Sequence, residues 1–174
     1  MDAAAIIRRL ESFAAVLPAL TAGLTPAEAR RKPPSGAWSI LEIVNHLVDE
    51  ERDDFRFRLE LTLRDPALPW PPNNPEAWAR ERLVGGLHYN QRDLAESVAR
   101  FTAEREKSLA WLRSLVSPDW TRAYIHPKAG PVSAGALLAS WAAHDALHIR
   151  QIAKRLYELA AAEGDVRYAG EWGA

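Results

Sequence analysis

Apolar residues recur at intervals of three and four over four long stretches of the chain, and no convincing run alternates apolar with polar positions, so the pattern predicts an all-α fold. Ile6, Leu10, Phe13, Leu17 and Leu20 mark one face of a first helix over about Asp2 to Ala22. Thr25-Pro26-Ala27-Glu28 has the form of a capping box with proline at the first helical position, which predicts a short connecting helix stopped by Pro33 and Pro34. Ser39-Ile40-Leu41-Glu42 repeats the box, with Trp38 and Ile43 placed as a hydrophobic staple, and opens a second long helix near Ile40. It should run to about Leu63, because Pro66, Pro69, Pro71, Pro72 and Pro75 forbid continuation. A third helix is expected after Gly85-Gly86, from about Asn90 to Leu115, with Leu94, Val98, Phe101, Leu109 and Leu112 on its apolar face. Ser133 is placed to cap a fourth, from Ala134 to about Ala162, with Gly164 as its stop. Helices of this number and length are the ingredients of a four-helix bundle, whose sites form between inward faces of different helices. The Pro/Trp-rich linker between helices two and three carries Trp70 and Trp78, and two indoles predict a segment packed on the bundle, over a pocket mouth or as a plain surface wrap.

The whole chain, 1–174, reads as one domain: at 174 residues and 48% hydrophobic it can bury a sufficient core without disulfide or structural metal, so any metal is expected to serve chemistry. The formal charge of −1 gives no electrostatic reason to bind nucleic acid. Cysteine is absent, which removes disulfides, thiolate zinc sites and a cysteine nucleophile together, so thiol chemistry would need a thiol from outside. Uncharged stretches are too short for a membrane helix, and Asp2 and Glu11 are misplaced for a secretory leader, so the expected location is cytoplasmic. Trp70 and Trp172 look exposed, which suggests a homodimer.

His144 and His148 stand one turn apart on a helical face shared with Leu137, Trp141, Ile152 and Leu159, close enough to share a metal at roughly 2.1 Å from each nitrogen. An isolated pair of this kind is more often two buried histidines satisfied by hydrogen bonds. His46 strengthens the metal reading, because it shares its face of helix two with Ile43, Glu50, Asp53, Phe57 and Leu61. Three neutral rings aimed at one core from two helices are costly to bury without a shared cation. Glu50 and Asp53 point inward in this projection, with Asp49 at the edge; each carboxylate could orient a ligand, act as general base, or belong to a solvated acidic patch. Asp145 is as well placed to pair with an arginine, and His88 and His126 are expected at the surface in connectors.

The segment Trp38-Ser39-Ile40-Leu41-Glu42-Ile43-Val44-Asn45-His46-Leu47-Val48-Asp49, the Phe101 to Trp120 region and His144-Asp145-Ala146-Leu147-His148-Ile149-Arg150-Gln151-Ile152 together resemble the DinB-like superfamily of bacterial metalloenzymes. The resemblance spans most of the chain and implies a bundle of that type, with His46, His144 and His148 binding a divalent metal, zinc or nickel. Arg150 stands where relatives often have glycine and should face away from the ligands. Relatives with a known activity imply a metal-dependent transferase or isomerase that uses a low-molecular-weight thiol such as bacillithiol or mycothiol on an electrophilic substrate. The alternatives are a hydrolase acting through metal-bound hydroxide, with Glu50 or Asp53 moving the proton, and a non-catalytic metal-stabilised stress-response protein. A site sealed by Trp141 and Phe57 would favour the last.

Overall fold

The computed structural model describes residues 1–70 and 88–172, so Trp78 and Gly85-Gly86 lie outside the described residues. Helix α1 (Ala3–Thr21) starts where Asp2 accepts a hydrogen bond from the Ala5 amide, and it buries Ile6, Leu10, Phe13 and Leu17 as its spacing predicts. The connecting helix α2 (Pro26–Arg30) and the long helix that opens with α3 (Ile40–Asp49) both begin in complete capping boxes, Thr25 with Glu28 and Ser39 with Glu42. Each box satisfies two amide donors that a helix start leaves orphaned.

The second long helix does not stay α-helical to its end. Glu50–Phe55 forms a π-helical segment before α4 (Arg56–Arg64) resumes the α geometry. Beyond it, Trp70 is buried and not exposed as expected: its indole donates to Thr62 Oγ1 at 3.1 Å and stacks on Tyr124 at 4.4 Å. The start of the linker is therefore packed on the bundle, and Trp70 is not available for a contact between chains. A 3-10 turn at Tyr89–Gln91 takes up the beginning expected for the third helix, and α5 (Leu94–Ser114) starts where Asp93 caps the Glu96 amide.

The turn-rich stretch before the last helix holds a small antiparallel hairpin, β1 (Ala123–His126) with β2 (Gly130–Ser133), pairing Ala123 with Ser133 and His126 with Gly130. Four-residue strands, one of them carrying Pro131, are too short to announce themselves by alternation. Gly130 has φ of +72°, a conformation that costs little only in glycine. The last helix, α6 (Ala134–Glu163), is capped by Ser133 and runs for 30 residues.

Helix α1 packs against α5 and α6, and α3 packs against both as well, which makes the four-helix bundle expected from the sequence. Its apolar interior falls into two clusters. Leu10, Leu59, Leu109, Leu138 and Trp141 form one, and Phe13, Leu17, Ile43, Val44, Phe101 and Ile152 form the other. Arg105 bridges them, with its guanidinium carbon 5.4 Å from the Phe13 ring, 5.0 Å from Phe101 and 5.8 Å from Trp141. Among the described residues no helix is long and apolar enough to cross a membrane.

Candidate metal centre

The spacing that puts His144 and His148 on one face of α6 brings their Nε2 atoms to 3.1 Å from each other. His46, from α3, lies with its ring centre 4.8 Å from His148 and 5.4 Å from His144. One nitrogen from each ring falls within 4.8 Å of the others, and these residues form the group able to hold a metal ion among the described residues. One imidazole closes its outer nitrogen with a hydrogen-bond partner, and a second has a carboxylate beside it. His148 Nδ1 lies 2.8 Å from Gln151 Oε1, and His46 Nδ1 lies 3.7 Å from Glu50 Oε1. A ring whose Nδ1–H faces an acceptor presents the Nε2 lone pair on the other side.

Burial, helped by the charges of His148 and Arg105, pushes His144 down to about 3; burial pushes His148 down to about 4, against the hydrogen bond to Gln151. Both rings are therefore neutral at physiological pH. Two uncharged Nε2 atoms 3.1 Å apart can share one proton, but a pair of lone pairs directed at a third imidazole is the donor set of a borderline divalent cation. The residues present fit such an ion.

The π-helical segment carries the nearby carboxylates. Asp54, four residues from Glu50 and seven from the core residue Leu47, is turned inward, and Asp53 is not. Asp54 is buried, whereas Asp53 is partly exposed and held by Arg52 through two hydrogen bonds of 2.6 Å. Burial and the neighbouring Asp54 raise Glu50 well above the usual carboxylate range, and burial raises Asp54 too, with Arg58 2.9 Å away opposing it. Phe57 also lies off the inward face and is exposed, so it does not seal the site; Arg58 is its buried neighbour, and Phe55 stacks on Trp141, 5.1 Å from the His144 ring.

Behind the histidines lies a polar layer that periodicity alone did not reveal. Arg105 is fully buried and donates to both oxygens of Asp145, at 2.7 and 2.9 Å, to Glu51 at 2.9 Å and to the Leu10 carbonyl at 2.9 Å. Trp141 donates to the second oxygen of Glu51 at 2.9 Å. Burial still raises Asp145 to about 6. Asp145 follows His144 in the helix, so the arginine fixes the turn of α6 that carries the ligand pair. The possible arginine partner of Asp145 was one available signal; Glu51 was another, four residues from Leu47 and seven from Val44 on the same buried face. Asp49 accepts from the buried Tyr89 hydroxyl and lies 3.3 Å from Arg52. Arg150 is exposed, and His88 is exposed with a left-handed backbone. His126 Nδ1 accepts from the Lys128 and Ala129 amides in the hairpin turn, at 3.2 and 3.1 Å.

No curated protein matches the sequence. Among solved structures, YfiT from Bacillus subtilis, a probable metal-dependent hydrolase with an unusual four-helix bundle topology, superposes with a TM-score of 0.76 at 21% identity, over 91% of this chain and 87% of that one. At that identity the likeness shows the fold. The sequence profile of the DinB superfamily matches residues 9–152, a span that contains all three histidines, and the chain belongs to that superfamily.

Proposed function

We propose that the protein is a metal-dependent enzyme in which His46, His144 and His148 hold one divalent ion, zinc or nickel, and that it uses a low-molecular-weight thiol as co-substrate. The observation that carries this reading is the orientation of the rings. Glu50 and Gln151 occupy the outer sides of His46 and His148, and the Nε2 atoms of His144 and His148 meet at 3.1 Å on the inner side. A divalent ion there would supply acidity, because a thiol or water that it binds ionises near neutral pH. The chain contributes no thiol of its own, so the nucleophile comes from solution. Glu50 stands beside His46 Nδ1, where it would orient that ring, and Asp53 is held by Arg52.

A hydrolase is the second reading. The structural likeness to YfiT favours it, and the same three histidines would serve, with water in place of the thiol. Cobalt-loaded protein titrated with bacillithiol or mycothiol separates the two. A sulfur-to-cobalt charge-transfer band, together with turnover of monochlorobimane that needs both metal and thiol and is lost in His46→Ala, is the expected result. An unchanged cobalt spectrum with ester or amide cleavage in the absence of thiol makes the protein a hydrolase, and no turnover of either kind leaves a metal-stabilised binding protein. A homodimer belongs to the same proposal and rests on the exposed Trp172, Phe57 and Leu147; sedimentation at the mass of one chain would defeat it.

A further inference from the structure

Ligands supplied by two helices stay together only if the helices hold their register, and apolar packing fixes register loosely, because a hydrophobic core accepts repacking before it loses stability. His46 comes from α3, whereas His144 and His148 come from α6. A directional link between the two runs through Arg105 of α5, and its acceptors belong to the three other long helices.

Nε donates to Glu51 Oε1 at 2.9 Å, on the helix that carries His46. Nη1 and Nη2 donate to the two oxygens of Asp145 at 2.7 and 2.9 Å, next in sequence to His144, and Nη1 also donates to the Leu10 carbonyl of α1 at 2.9 Å. Trp141 closes the circuit from α6 by donating to Glu51 Oε2 at 2.9 Å, an oxygen that lies 2.8 Å from Arg105 Nη2. The guanidinium is fully buried, so it cannot exchange these acceptors for water. A planar fork fixed on three sides resists sliding: moving helix two past α6 by one residue's rise, about 1.5 Å, would stretch or misalign its bonds. The same slide would carry His46 along the His144–His148 pair. An ion network buried in a core adds little stability over apolar residues of the same volume, and the best-attested use of such groups is to fix register.

We infer that Arg105 is a positioning residue of the metal centre: by clamping Glu51 and Asp145 it sets the register of the His46 helix against α6, and with it the spacing of the three imidazoles. It acts through the two carboxylates and binds no ion itself. The inference rests on the ligand set proposed above, but its effect on ring spacing is readable without a metal.

Two measurements on Arg105→Lys, Arg105→Met and Glu51→Gln test it. Leu112→Ala is the control, a buried apolar position on the same helix as Arg105 and outside the clamp. In metal-free protein, nuclear Overhauser contacts between the carbon-bound ring protons of His46 and His148, whose ring centres lie 4.8 Å apart, should be present in the parent and in Leu112→Ala. They should be weakened severalfold or lost in Arg105→Lys, which keeps the charge but not the fork. Calorimetry with zinc should show affinity about 10- to 100-fold lower in both Arg105 variants, about tenfold lower in Glu51→Gln, and changed by less than about twofold in Leu112→Ala. If the Arg105 variants do not fold, Glu51→Gln, which keeps the volume and one acceptor oxygen, decides by the same two readouts. Ring contacts and zinc affinity equal to the parent's in the folded clamp variants, or equal losses in Leu112→Ala, would overturn the assignment and make the layer a stabilising one only. A parent that binds no zinc defeats the metal-dependent reading instead, and the ring contacts then decide positioning alone.

Discussion

The second long helix can be counted in two ways beyond Glu50, and only one of them finds its buried face. From Ile40 to Asp49 the spacing of apolar residues places Ile43, Val44 and Leu47 in the core and turns His46 toward α6. Counted onward from His46 the spacing selects Asp53 and Phe57; counted from Ile43 and Leu47 it selects Asp54 and Arg58, and the molecule buries the second pair and brings Phe55 against Trp141. The two counts differ by roughly 100° of rotation. Periodicity is trustworthy when it is counted from the centre of a buried face, and it misleads when counted from a residue at the edge, which here is His46.

The largest effect should come from the arginine that ties this helix to the rest of the bundle. Arg105→Ala leaves Glu51 and Asp145 buried without their counter-charge and should lower stability by about 3–5 kcal/mol in denaturant titration. A loss below about 1 kcal/mol, the range of an exposed ion pair, would mean that the polar layer is not holding the π segment.

The choice of face is tested by two phenylalanines. Phe55→Ala should cost about 2–3 kcal/mol, as a half-buried ring on Trp141, whereas Phe57→Ala at an exposed position should cost less than about 1 kcal/mol. The reverse order would put the buried face back where the count from His46 sets it.

Smaller still is the contrast between carboxylates. Glu50→Gln should weaken zinc binding about 10- to 100-fold in calorimetry, the range for an outer partner of a ligating histidine. Asp53→Asn should change it by less than about twofold, since it removes only a surface ion pair. Similar losses in both variants would put Asp53 back at the site.

In metal-free protein the carbon-bound ring protons of His144 and His148 should keep their neutral-imidazole shifts from pH 7 to pH 5. Burial lowers both pKa values, to about 3 and about 4, so protonation is displaced toward acid and not toward base. Ring titration near the ordinary value of about 6.5 would show that the site opens when the metal leaves. Least of all should change when a chelator removes the metal: the melting temperature falls by a few degrees through lost ligand binding, and the far-ultraviolet helical signal stays. Collapse of that signal would make the ion structural.

The bundle, the capping boxes at Thr25 and Ser39 and the His144–His148 pair were legible because each depends on residues a turn apart or adjacent in sequence, and His46 joined the pair because it interrupts an apolar stripe and stands in the motif of the family resemblance. The Arg105 layer was not, because its partners Glu51 and Asp145 lie 54 and 40 residues away and only tertiary packing brings them together. The hairpin escaped for the opposite reason: its strands are local but too short to show a period. Trp70 looked exposed because proline-rich sequence on both sides suggests a solvated linker, whereas Thr62 and Tyr124 give its indole a hydrogen bond and a stacking face.

Trp38 lies with its ring 4.8 Å from His46, and this proximity makes the protein its own optical gauge of occupancy. A nickel or cobalt ion on His46 would sit within collisional range of the excited indole and drain its emission, while zinc, with a filled d shell, would leave the light on. Stepwise addition of nickel should therefore dim the fluorescence to a plateau at one equivalent, and Trp38→Phe should remove most of the change.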